Sequence, residues 1–155
     1  MSLNPLFRLT IWETARLIRK GELSPVELTR AYLERINQLD DTMRAYIVVL
    51  DGVALEEARK AEDDISRGQY KGPLHGIPMA LKDVYDLVGV QTTAGSRGMR
   101  YRIPLEDANS VARLKAAGVI ILGKLATYEF AMGFPDPKSG FSIPKNPWNN
   151  SHITG

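Results

Sequence analysis

Apolar positions in the first 70 residues recur at helical spacing. Ile11, Ala15 and Ile18 share one face behind Thr10 and Glu13, spaced as a capping box, and Gly21 is a natural stop. Ser24, Pro25 and Glu27 mark a second start, again as a capping box, with proline at the first helical position. Leu28, Ala31, Tyr32, Ile36 and Leu39 follow on one stripe. The β-branched run AYIVVL (45–50) predicts a short strand. Asp51 is placed to cap a third helix with Ala54, Ala58, Ala61 and Ile65 on one face, ended by Gly68. These stripes read as core faces.

From residue 73 the pattern changes. IPMALK (77–82) predicts a strand, with Pro78 tolerable only near its start or at an edge. A Gly- and Thr-rich loop follows (89–98). DANSVARLKAAG (107–118) predicts a helix with Val111 and Leu114 buried and Gly118 as its stop. VIILGKL (119–125) is a continuous apolar strand of the kind buried on both faces. Strand, helix and strand imply a right-handed parallel crossover. The fold class is therefore α/β. The last 23 residues carry four prolines, three glycines and three asparagines and show no period.

The bulk numbers fit one domain with a real core: 155 residues, 44% hydrophobic and 25% charged. A net charge of +2 with mixed signs points away from a nucleic-acid or polybasic membrane surface. No run approaches the 18 or so apolar residues of a membrane span, and the N-terminus lacks a signal-like segment. The cytoplasm is the expected location. With no cysteine, thiolate metal sites, disulfides and cysteine nucleophiles are excluded, and His75 and His152 form no metal-spaced cluster. No cofactor is expected.

GVIILGKL (118–125) nearly matches a phosphate-binding loop, but four apolar residues separate its glycines and Leu125 offers no hydroxyl to magnesium. Lys124 reads instead as a strand-end lysine whose head reaches solvent or a carboxylate. Glu129, on a predicted short helix, reads as a surface or cap residue, and nothing places Asp83 and Asp86 around a common substrate. Lys82 has two readings. One is a strand-end lysine reaching water beside Asp83. The other is a general base, which must be neutral. The reference pKa of about 10.4 must then fall by about three units, and burial at the end of an apolar strand can supply that. A neutral lysine beside serine hydroxyls is one route to an activated serine.

GPLHGIPMALKDVYDLVGVQTTAGS (72–96) resembles the lysine-bearing segment of the amidase signature enzymes, with G-x-P-x-x-x-K-D followed by T-x-G-S. AGVIILGKLATYEFAMG (117–133) resembles their strand and turn after the first crossover. NPWNNSHITG (146–155) resembles the lead-in to their Gly/Ser-rich signature, and GELSPVELTRAYLERI (21–36) their opening helices. The resemblance covers nearly the whole chain in order. It implies an α/β/α sandwich around a mixed, mainly parallel sheet, in one domain: a helical lead-in (1–70), a strand–helix–strand segment with the lysine (73–133), and a loop leading to the signature (134–155). It also implies metal-free hydrolysis of a carboxamide by a Ser–cis-Ser–Lys triad. One serine is acylated, the second relays protons to the lysine, and backbone N–H groups hold the oxyanion.

Of these parts only the lysine maps here, onto Lys82. Ala131, Met132 and Gly133 are the substrate-pocket candidates by resemblance. Neither Ser96, Ser139, Ser142 nor Ser151 sits in the required motif, so the expectation is an N-terminal portion that holds the base and lacks the serines. On its own it should be inactive. Its partners would be a small-molecule amide and, compatible with the family, a second copy as homodimer; nucleic acid and membrane are not expected. An alternative is the glutaminase subunit of a tRNA-dependent amidotransferase, with its partner subunits, although such subunits usually read G-K-T-N where this chain has GKLA (123–126). A further alternative is a non-catalytic interaction module.

Overall fold

The structure, a computed structural model, describes residues 5–154. Among these residues it is α/β, with helices α1 (Ile11–Arg19), α2 (Pro25–Met43), α3 (Asp51–Ser66) and α4 (Asn109–Ala116). The strands are β1 (Tyr46–Val49), β2 (Pro78–Lys82) and β3 (Ile120–Leu125), in the order β1-β3-β2. The sheet is mixed. β1 runs antiparallel to β3. Along β2 and β3, Ile120 N–H donates to the Ile77 carbonyl (3.0 Å) and Asp83 N–H to the Leu125 carbonyl (3.0 Å), so both chains ascend together. That parallel pairing is what the strand–helix–strand pattern predicts.

Two compact units divide the chain. The first comprises the chain up to Ile36, Leu50–Met79 and Arg113–Leu122. Its core joins Ile18 of α1, Leu23, Leu28 of α2 and Ile77, with Leu6, Leu17, Tyr32 and Ile65 packed against them. Burying each such aliphatic side chain contributes about 1.5–3 kcal/mol. The capping box of α1 is complete: Thr10 Oγ1 accepts from Glu13 N–H (3.2 Å), and Thr10 N–H donates to Glu13 Oε2 (2.8 Å). At α2 only half of the expected box forms. Ser24 Oγ accepts from Val26 N–H (3.0 Å) and Glu27 N–H (3.1 Å), but its own proton goes to Glu62 of α3.

Three helix expectations need correction. Ile11 and Leu39 are exposed, because each lies at the end of its helix where no neighbour covers the apolar stripe. Asp51 does not cap α3 from outside. It is the first helical residue, and its carboxylate accepts only from Gly52 N–H (2.8 Å). Leu114 is half-buried, whereas Val111 is fully buried.

The second unit comprises Asn37–Val49, Ala80–Ala112 and the chain from Gly123 on. Asp40 joins the end of α2 to β1: its carboxylate accepts from Ala45 N–H (2.8 Å) and Tyr46 N–H (3.2 Å), across Arg44 in the left-handed region (φ 53°). β1 and β3 pair Tyr46 with Leu125, Val48 with Lys124 and Val49 with Gly123, so β1 carries one extra residue. Gly123 is required there: a β-carbon would fall 2.2 Å from the Val48 carbonyl oxygen. No helix or strand follows residue 131 among the described residues, as the Pro/Gly/Asn-rich composition predicts.

Candidate functional site

Pro78 opens β2, where its missing N–H costs no ladder bond. The strand then alternates. Leu81 and Asp83 are buried, and Lys82 between them is exposed. The burial that a neutral Lys82 asks for is therefore not supplied within this chain. Its ammonium has no hydrogen-bond or ion-pair partner among the described residues. The strand's period of two decides this, since neighbours in sequence face opposite sides.

The buried lysine is Lys124. It lies on β3, whose residues Ile120–Lys124 are all buried, so it has no outward face to use. Its Nζ reaches Asp83 Oδ1 at 2.8 Å and donates to Thr92 Oγ1 at 2.7 Å. Of the two destinations expected for this head, solvent or a carboxylate, the structure shows the carboxylate. The other oxygen, Asp83 Oδ2, accepts from Thr93 N–H (3.0 Å) and Thr93 Oγ1 (2.6 Å). The Lys124 contact at Oδ1 is close but off the hydrogen-bonding direction, leaving Oδ1 with charge compensation and no directed donor. A buried pair of this kind adds little net stability, because desolvation offsets the attraction; losing one partner is what costs.

Asp83 also organises the loop after β2. Its carbonyl accepts from Ala94 N–H (2.9 Å), and Thr93 Oγ1 accepts from Gly95 N–H (3.1 Å). Thr92, Thr93, Ala94 and Ser96 are all buried, and Ala94 is in the left-handed region (φ 50°). The Ala94 carbonyl in turn accepts from Phe130 N–H (2.7 Å). Phe130 (φ 50°) and Ala131 (φ 59°) are both left-handed, a conformation costing non-glycine residues roughly 1–2 kcal/mol each. A short helix does include Glu129, with Phe130 non-helical inside it, and Glu129 is exposed as a surface residue should be.

Of the pocket candidates, Met132 and Gly133 line a cleft of about 250 Å³ together with Gly95, Arg97, Tyr128 and Phe134; Ala131 is exposed in the turn beside them. Asp86 does not join Asp83. It is bound by Arg102 through both oxygens (2.5 and 2.6 Å), and that hydrogen-bonded guanidinium holds its carboxyl below the ordinary aspartate range. The Thr92, Thr93 and Lys124 cluster was missed as a unit. Its signal was present: a strand buried on both faces cannot turn a lysine outward.

The family model described as Amidase matches residues 27–155. The chain is 42% identical over 153 residues to the A-type subunit of glutamyl-tRNA(Gln) amidotransferase from Roseiflexus castenholzii, covering 99% of this chain and 31% of that protein. It is 44% identical over 150 residues to the counterpart of the same name in Geobacter metallireducens, covering 97% and 31%. Among solved structures, it superposes on the native peptide amidase of Stenotrophomonas maltophilia with a TM-score of 0.84 and 35% identity, over 96% of this chain and 32% of that one. The chain thus spans about a third of the length of the proteins it matches. It belongs to the amidase family, whose signature enzymes its lysine-bearing segment resembles.

Proposed function

We propose that the complete protein hydrolyses a carboxamide C–N bond, with Lys82 as its proton acceptor and donor. The observation that carries this reading is the end of β2. The strand brings a lysine to its last position, and the next residue, Asp83, is fixed on every side. In the family pattern both serines follow this span, so Lys82's partners belong to the length the relatives have and this chain does not cover. Neutral Lys82 takes a proton from the relay serine as that serine takes one from the nucleophile. The nucleophilic oxygen then attacks the carbonyl carbon, backbone N–H groups hold the oxyanion, and the proton returns along the same path to the leaving nitrogen. The exposed turn at Ala131, Met132 and Gly133 borders the substrate. No helix among the described residues is long and apolar enough to cross a membrane, and we place the reaction in the cytoplasm, on a small amide.

One observation favours a second reading, a glutaminase subunit working with amidotransferase partners: relatives over 40% identical carry that name. The test for both is ammonia release by the complete protein from simple primary amides and from glutamine, with Lys82→Ala beside it. Loss of turnover in the variant is expected. Wild-type turnover would remove Lys82 from the mechanism. Glutaminase activity that appears only with a co-purifying subunit would select the second reading, and no release under any condition would leave an interaction module.

A further inference from the structure

We infer that Asp83, Lys124 and Thr93 are positioning residues for Lys82: a buried charge cluster that fixes the backbone from which Lys82 projects. The inference rests on the reading of Lys82 as the base. A lysine side chain has four rotatable bonds, so its ammonium is placed only as well as its Cα is held. Nothing on Lys82's own side chain holds it among the described residues. Everything holding this point acts through the next residue. Asp83 binds with its main chain on both sides, through N–H to Leu125 and through the carbonyl to Ala94. Its carboxylate is gripped by Thr93 through two bonds and by Lys124, which Thr92 anchors in turn.

Four polar side chains, each nine-tenths or more buried, thus meet directly behind Lys82. Stability alone does not account for them, since apolar residues of similar volume would serve a core equally well. The same cluster sets Ala94, whose carbonyl holds Phe130, so the strand end with Lys82 and the turn before Met132 are tied to one point. Sites of catalysis need such support to keep reacting groups in place.

The experiment compares Lys82→Ala, Thr93→Val, Thr93→Ser, Lys124→Met and the double variant Asp83→Leu/Lys124→Met in the complete protein. It reads Tm, kcat and KM for ammonia release from glutamine and from propionamide. Thr93→Val should lower kcat about tenfold with KM nearly unchanged, and Thr93→Ser, which keeps the hydroxyl, should restore it. The double variant should regain the Tm that Lys124→Met loses, yet keep kcat about a hundredfold down. Recovery of kcat together with Tm would overturn the inference, as a cluster serving only the core would behave so. Unchanged kcat in Thr93→Val would overturn it equally, and that pair decides the matter if the double variant does not fold. A Lys82→Ala loss beside wild-type kcat in the cluster variants overturns the inference alone; an active Lys82→Ala overturns the reading beneath it as well.

Discussion

Gly118 lies so close to His75 that a β-carbon on it would fall 2.3 Å from the imidazole Cδ2. The two residues are tied by backbone as well, since Gly76 N–H donates to the Gly118 carbonyl (2.9 Å). The glycine ends α4 in the left-handed region (φ 85°), and His75, fully buried, closes the turn before β2. The stop signal at Gly118 and the buried histidine are therefore one contact.

Gly118→Ala should destabilise the fold by about 3 kcal/mol, combining the left-handed penalty with overpacking against the ring. Gly68→Ala is its control. Gly68 has nearly the same φ (80°) but nothing within 4 Å, so only about 1 kcal/mol should be lost. Urea unfolding midpoints measure both, and equal losses would show that the ring contact does not matter.

Stability should also fall with acid through His75. Burial lowers its pKa below the ordinary 6.5, the Lys71 charge lowers it further, and Asp64 opposes both. Its Nδ1 accepts from Lys71 N–H (3.2 Å), so a second proton must displace that bond. Between the lowered folded value and about 6.5 the unfolded chain binds more protons, so stability rises with pH there. The contribution is complete above about pH 6.5, is lost as pH falls towards the folded value, and is flat below it. Unfolding free energies at pH 7.5 and 5.5, for wild type and His75→Asn, test this. An equal decline in the variant would assign the effect to another group.

The two lysines at neighbouring strand ends should respond oppositely to truncation. Lys124→Met strands the Asp83 carboxylate in the interior and should cost about 3–5 kcal/mol. Lys82→Ala removes an exposed side chain and should change stability by less than about 0.5 kcal/mol. Thermal and urea unfolding of the two variants decide this without any assay of activity.

Helix starts offer a finer comparison. Thr10→Ala and Ser24→Ala should each lose about 1 kcal/mol of capping. Ser24→Ala should lose more, because Glu62 loses its hydroxyl donor too. If unfolding midpoints rank the two the other way, the Ser24–Glu62 bond contributes nothing.

Helices α1 to α3 were legible because periodic stripes, Ser/Thr caps and terminal glycines all act locally. Their ends were not, since exposure of Ile11 and Leu39 depends on how far a neighbour reaches. β3 was legible as a strand buried on both faces. What that implied for Lys124 was harder to see, because a lysine in an apolar strand is usually read as reaching water. The carboxylate that accepts it is 41 positions earlier, and no local rule pairs them. Lys82 was legible as a strand end, and its outward direction follows from the buried neighbours Leu81 and Asp83. The left-handed turn at Phe130 and Ala131 has no sequence signal, as neither residue type favours it.

The alternation at the end of β2 has a consequence for how faithfully the sheet assembles. A slip of one residue would turn Asp83 outward and Lys82 inward. Lys82 would then meet Lys124 in a buried space with no anion between them. Like charges at such depth repel by several kcal/mol, so the misaligned pairing is excluded electrostatically as well as by packing. Lys82→Leu should weaken that exclusion and yield more misfolded material on refolding, while a yield equal to wild type would show that packing alone selects the register. The lysine proposed to take a proton from a serine thus also guards the alignment of the strand that carries it.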